Sequence, residues 1–217
     1  MKKLVSSLIL ALLIYSCKDD ILTSITDNAI YSKFEVTYIA ETSRTKGKAS
    51  FWKGSNTESH AIFNEKSSLT FNDNALIYQS GYYYEKEIPG FFQTSIFKVV
   101  DVNKKQFLNS IGTSDISLPV IDTVNTSQPW ELIWKSNSTA LDTGETVTVR
   151  FIDQSFTQDS IGVKSITIAA SNLSSKKGKT YQVSIERLKT RMLEQSLGGG
   201  GSISVLYVAR TKTIYFK

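Results

Sequence analysis

Apolar and polar residues alternate along most of this chain, and no long stretch carries the three-and-four spacing of an amphipathic helix. Phe34, Val36, Tyr38 and Ala40 fall on one face of an extended segment. Ala49 and Phe51 repeat the pattern, with Trp52 on the opposite side. Leu69 and Phe71 run into Asn72-Asp73-Asn74, a turn-forming cluster, and Leu76 and Tyr78 follow it. Gly81 opens Tyr82-Tyr83-Tyr84-Glu85. Within residues 94–102 the facing is double: Phe97 and Val99 define one inward side, Ile96 and Val100 the other. Residues 101–105 read as a turn leading to Phe107 and Ile111, so a hairpin is expected there. Leu118-Pro119 closes this first series, because proline lacks the N–H that a central strand donates.

A second series then starts. Trp130, Leu132 and Trp134 share a face after Pro129, and Gly144 marks a turn. Val147, Val149 and Phe151 alternate with polar neighbours, as do Ile166 with Ile168 and Tyr181 with Val183 and Ile185. Ile203, Val205, Tyr207 and Ala209 form the next face, and Ile214 and Phe216 end the chain. Four glycines at 198–201 suggest a mobile tip between the last long strands. Turn signals recur about every 8–12 residues, the spacing of β-sandwiches. The expected fold is all-β, with two antiparallel sandwich domains at 24–119 and 120–217.

The first 16 residues stand outside this pattern. Lys2 and Lys3 precede an apolar run over residues 4–15 that ends at Ser16-Cys17. The run is too short for a membrane span of about 20 residues and fits the apolar core of a secretory signal. Ser16 before the only cysteine of the chain fits cleavage ahead of a lipidated Cys17. Lys18, Asp19 and Asp20 follow directly, and this resembles the export tag of Bacteroidota surface lipoproteins. The resemblance implies a signal peptide at 1–16, a lipidated Cys17 with a short linker at 17–23, and display on the outer face of the outer membrane. Acyl chains on Cys17 would anchor the protein to the membrane without spanning it.

Trp134 resembles the strand-B tryptophan of fibronectin type III and related immunoglobulin-like modules, and Leu173 with Thr180-Tyr181 is similar to their leucine–tyrosine corner. The spacing departs from that corner, since Thr180 is adjacent to Tyr181 and the gap from Leu173 is long. The resemblance covers about 120–217 and implies that Trp134 and Tyr181 are core residues. The segment 24–119 resembles a second immunoglobulin-like sandwich on pattern alone. The pair is similar to tandem-sandwich lipoproteins of Bacteroidota, a group that lends no active-site residues.

Composition narrows the chemistry. One Cys and one His exclude a disulfide framework, a cysteine-based zinc site and any metal site with two imidazoles. His60 has Ser50, Ser55 and Ser59 nearby in sequence, but no Gly-x-Ser-x-Gly elbow accompanies them. Glu85 and Glu87 share a strand face without a recognisable cleft motif, and Asp73 lacks the ligand set of a calcium loop. No catalytic residue, metal site or cofactor is therefore expected.

The net charge of +5 is uneven: 24–119 is neutral, and the excess lies in 120–217. Arg187, Lys189, Arg191, Arg210 and Lys212 form a candidate anion-binding face for a sulfated or phosphorylated glycan, the alternative being protection of exposed strand edges. The first three continue the face of Tyr181, Val183 and Ile185, so either a bulge follows Ile185 or these cations lie beyond the sandwich. Nucleic acid is not expected, because no stacking aromatics interleave these cations. Tyr83, Phe91 and Phe92 are candidate glycan-stacking rings, the alternative being core packing. Asp122-Thr123-Val124 and Asp159-Ser160-Ile161 resemble the Bacteroidota acceptor for O-linked glycans, which implies loop sites at Thr123 and Ser160.

The function expected from these features is a non-enzymatic, lipid-anchored binding or scaffold module facing the cell exterior. The alternatives are a glycan-binding accessory of polysaccharide uptake, or a surface-fibre or secretion-complex subunit with an envelope protein as partner. Mass spectrometry of the native protein should show an N-terminus at Cys17 carrying acyl chains; an unacylated N-terminus overturns the placement.

Overall fold

The computed structural model describes residues 20–22, 29–56, 59–138 and 140–217. Cys17, Lys18 and Asp19 lie outside the described residues, and Asp20 opens the first strand. The alternating segments form strands β1 (Asp20–Leu22), β2 (Ile30–Ile39), β3 (Arg44–Lys53), β4 (Ala61–Phe63), β5 (Ser68–Phe71), β6 (Asn74–Ala75), β7 (Ile77–Gln79), β8 (Tyr83–Pro89), β9 (Thr94–Val100) and β10 (Gln106–Gly112). They continue as β11 (Thr123–Val124), β12 (Trp130–Ile133), β13 (Glu145–Arg150), β14 (Ser155–Gln158), β15 (Ser165–Ile168), β16 (Lys179–Met192), β17 (Gly198–Val208) and β18 (Lys212–Phe216). One short helix, α1 (Ala170–Leu173), and a 3-10 turn at Ser174–Lys176 precede β16. The fold is all-β and predominantly antiparallel.

One large sheet runs β11-β18-β16-β17-β2-β3-β8-β7, with β13 paired to β16 and β14 to β13. Two smaller sheets complete the sandwich packing. The sheet β10-β9-β5-β6 covers a core of Ile30, Phe34, Phe51, Phe71, Phe97 and their neighbours. The pair β12-β15 covers a second core built on Leu132, Trp134, Val147, Ile168, Leu173 and Phe216. Trp134 is buried there, and Tyr181 packs against the same core. Phe34 stacks on Phe97 at 4.7 Å and 15°. That contact settles the double pattern of β9: Phe97 and Val99 point inward and Ile96 outward.

The two cores meet along a hairpin. β16 pairs with β18 over Lys179–Val183 and with β17 over Glu186–Met192, and the Ala209 N–H donates to the Ile185 carbonyl at 3.0 Å between them. β17 and β18 thus read as one strand interrupted at residues 209–211. On its other edge β17 pairs with β2 in parallel, and β18 pairs with β11 in parallel. Sequence position does not respect the boundary expected at 119/120: Leu193, Leu197, Ile203 and Val205 pack into the first core.

The glycines are not a tip. Gly198 and Gly201 pair with Ile30 and Ser32 of β2, with a register shift between them, and the reversal itself lies at residues 193–197. A Cβ on Gly201 would fall 2.0 Å from the Ser32 carbonyl oxygen, and its φ is +143°. Glycine is what lets the two backbones approach. Gly201→Ala should therefore lower unfolding stability in urea by about 1–3 kcal/mol. Gly200→Ala, where a Cβ meets nothing within 4 Å, should cost less. Equal costs would contradict this placement.

Candidate functional site

The interruption between β17 and β18 creates a cleft. β2 delivers Tyr38 beside Tyr207 of β17, as the parallel register requires, with ring centroids 5.0 Å apart. Phe91 closes a triangle of rings at 5.1 Å from Tyr38 and 5.6 Å from Tyr207. Phe91 is positioned by the preceding Gly90, whose φ is +94°. The Gly90 N–H donates to the Ser43 carbonyl at 2.8 Å, and its own carbonyl accepts from Thr45 Oγ1 at 2.6 Å.

The opposite wall is Ile116-Ser117-Leu118, which pairs with Lys135 through two backbone bonds of 2.8 and 3.0 Å with Ser117. The cleft encloses about 480 Å³, with Tyr38, Tyr207, Lys135, Arg210 and Lys212 among its lining residues.

Its electrostatics are one-sided. Arg210 Nε donates to the Ala40 carbonyl at 3.3 Å, and Lys212 Nζ donates to the Pro119 carbonyl at 2.9 Å. Both acceptors are neutral. Among the described residues none of Lys135, Arg210 and Lys212 forms an ion pair. Nearby acids serve the backbone instead: Glu41 accepts the Thr211 N–H at 2.8 Å, and Asp115 accepts the Asn137 N–H at 2.6 Å. Burial, followed by the charges of Tyr38 and Asp115, raises the Tyr207 phenol above its ordinary range, with Arg210 opposing. Tyr207 thus keeps its proton and offers the cleft a donor. A cationic mouth with apolar floor and phenol rings suits an anion attached to a flat or apolar body.

The wall is held by a buried ion pair. Arg187 and Glu145, each 2% exposed, face each other across β16 and β13. Arg187 Nη2 donates to Glu145 Oε2 and to the Ala140 carbonyl; Nη1 donates to Ser136 Oγ at 3.0 Å and to the Ser138 carbonyl. Ser136 Oγ in turn donates to the Asp115 carbonyl, one residue from the cleft wall. Glu145 also meets Lys189 Nζ at 3.3 Å and the Asp142 N–H at 2.9 Å. Burial acts to raise the Glu145 carboxyl, but the hydrogen bonds from Arg187 and Asp142 and the charges of Arg187 and Lys189 hold it below its usual value.

The five cations of the expected anion face do not assemble. β16 has no bulge after Ile185, so Arg187, Lys189 and Arg191 continue the inward side, along the strip where the two cores meet. Arg187 and Lys189 are engaged by Glu145, and Arg191 by Glu194 at 2.8 Å and the Ser110 carbonyl. Only Arg210 and Lys212 reach the cleft. Lys176, in the same basic excess, is fully buried, with both Asp153 oxygens at 2.8 Å and the rings of Phe151 and Tyr181 at 4.7 and 4.4 Å. Its hydrogen bond holds the Asp153 carboxyl below the usual range.

The expected stacking rings also separate. Tyr83 lies half-buried under Lys48 Nζ at 4.3 Å, Phe92 packs against the first core, and Phe91 stands at the cleft. Tyr84 turns to the core side and accepts the Phe63 N–H at 2.9 Å. His60 sits between Trp52 and Tyr82, and its Nδ1 is buried without a partner. Asp73 belongs to a tight turn with Asn72 and Asn74. No group of three His, Cys, Asp or Glu converges among the described residues. Thr123 and Ser160 are both exposed, Thr123 opening β11 rather than lying in a loop. No protein-family model matches the chain, and no curated protein is similar to it.

Sequence reasoning missed Tyr38, Tyr207 and Lys135 as site residues, because the cleft gathers positions from four separated segments. It also missed Glu145, although a signal existed: Glu145 has the same parity as Val147 and Val149, so it is an inward acid facing inward cations. Arg187→Ala should cost about 3–5 kcal/mol by leaving a buried carboxylate unpaired. A carboxyl with a lowered folded pKa stabilises fully above its unfolded value of about 4.3 and loses that contribution as pH falls through the folded value. Chemical denaturation from pH 6 to 2 should therefore show a steeper acid loss for the wild type than for Glu145→Gln. Parallel curves would refute the role given to this pair.

Proposed function

We propose that the protein is a non-enzymatic lipoprotein, anchored in the outer membrane through Cys17 and facing the cell exterior, that works as a binding module through the junction cleft. The observation that carries the binding role is the cleft itself: Arg210 and Lys212 donate only to neutral carbonyls there, and Lys135 beside them forms no ion pair among the described residues. Such a site gains most from an anionic ligand, which supplies the missing countercharge. The strand arrangement of the second half supports the immunoglobulin-like resemblance: β11-β18-β16-β13-β14 packs against β12-β15, with Trp134 inside. A sandwich of this kind presents ligands at its ends and seams.

A second reading, an accessory that captures acidic glycans for uptake, is favoured by one further feature. The Tyr38 and Tyr207 rings line the cleft with the cations, Phe91 packs against both rings, and sugars use aromatic rings as apolar platforms.

Calorimetry with uronic-acid or sulfated oligosaccharides should show binding that weakens with salt and falls at least tenfold in a Lys135→Glu, Arg210→Glu, Lys212→Glu variant. Equal binding of neutral oligosaccharides, or no effect of the charge reversals, would remove the cleft as the site. Turnover of a glycan or peptide that is lost on replacing His60 would defeat the non-enzymatic reading.

A further inference from the structure

We propose that the end of the first core bearing Tyr31, Trp52, His60 and Tyr82 seats on the bilayer surface, with Trp52 and Tyr82 at headgroup depth. The proposal rests on acylation of Cys17. It starts from where β1 is fixed. β1 pairs in parallel with β4, which places Asp20 opposite Ala61. Lys18 and Asp19 alone separate Cys17 from Asp20, so whatever course they take, Cys17 lies within about 11 Å of Asp20. Neighbouring strands are about 4.8 Å apart, so the acylated residue is confined to within about 16 Å of Ala61.

Ala61 follows His60, and His60 begins a run of rings. His60 is bridged to Trp52 through the backbone. Its ring lies 5.2 Å from Trp52 and stacks on Tyr82 at 5.0 Å and 18°. Trp52 meets Tyr31, its cross-strand partner, edge-on at 5.9 Å. These rings do not belong to the first core, which Ile30, Phe34 and Phe51 fill from the other face of the same strands. Tyr31, Trp52 and His60 are half-buried, and Tyr82 is 38% exposed on a turn where it holds a φ of +60°.

An indole, an imidazole and two phenols at one end of a sheet combine apolar ring faces with polar edges. That is the composition that settles at a membrane–water interface, where one side of a ring meets acyl chains and the other meets headgroups. The short tether decides for the bilayer over a protein partner. It holds the patch next to the membrane at an effective concentration that a diffusing partner would have to exceed.

The orientation has a consequence for the cleft. β2 carries Tyr31 near one end and Tyr38 near the other, and seven residues at about 3.3 Å each separate them by roughly 23 Å. An aromatic end seated on the membrane turns the cleft away from it.

Tryptophan fluorescence tests this, because Trp130 and Trp134 are buried in the second core and only Trp52 is half-exposed. The acylated full-length protein, its Cys17 modification checked by mass spectrometry, is incorporated into phosphatidylethanolamine–phosphatidylglycerol vesicles. These carry phosphatidylcholine brominated near the top of its acyl chains. The expected result is quenching that disappears in Trp52→Phe, while flotation shows that this variant remains on the vesicles through its lipid. Acylated, vesicle-bound protein without quenching overturns the proposal, as does quenching that persists in Trp52→Phe. A preparation found unacylated overturns the anchoring reading, and this proposal with it.

Discussion

The buried pair of Arg187 and Glu145 is the constraint on which the junction depends. Its charges are removed from water, so protein groups must meet them, and the two terminal nitrogens of Arg187 reach three carboxylate or carbonyl oxygens and one hydroxyl, while Nε is buried without a partner. Those acceptors come from β13 and from the segment 136–140, and Ser136 passes the constraint on to Asp115. One guanidinium therefore ties β16 to β13 and to the segment that leads to the wall of the cleft. A hydrophobic pair in its place would fill volume but would not reach the backbone carbonyls that set the course of this segment.

The long hairpin gives that junction its reach. β16 carries apolar residues while it faces the second core and cations along the strip where the two cores meet, and β17 lends its apolar side to the first core before β18 joins the second. The break at residues 209–211, where the strand exchanges β2 for β11 as its neighbour, leaves Arg210 and Lys212 at a seam rather than in a ladder. Cations left without countercharge at such a seam are the feature on which the proposed binding role rests. The opposite end of β2 carries rings suited to a membrane surface, so one strand separates the two faces by its own length.

Much of the fold was legible in the alternation. The inward faces read for Phe34 and Val36, for Val147 and Val149, and for Val183 and Ile185 all lie in the cores, because burial on one side of a strand writes a period of two into the chain. The double pattern of residues 94–102 was not legible, since Ile96 and Val100 are as apolar as Phe97 and Val99. Only the stacking of Phe97 on Phe34 breaks that tie. Residues 198–201 misled for a related reason. Glycine marks close backbone approach as well as a free turn, and the neighbour that approaches, Ser32, is far away in sequence.

The candidate site was legible only in fragments. Arg210, Lys212 and Phe91 were visible as chemistry, but a cation is available to a ligand only if no carboxylate faces it. The same reading placed Arg187 beside them, where Glu145 neutralises it. By itself the sequence determined the all-β architecture and most of the strand faces, because these depend on local period, and a short contiguous motif raised the expectation of a lipid address at Cys17. The tertiary structure alone decided that two cores share one sheet, which cations are paired, and where Tyr38, Lys135 and Tyr207 meet. Those outcomes depend on strand order and on contacts between distant segments, which no local pattern encodes.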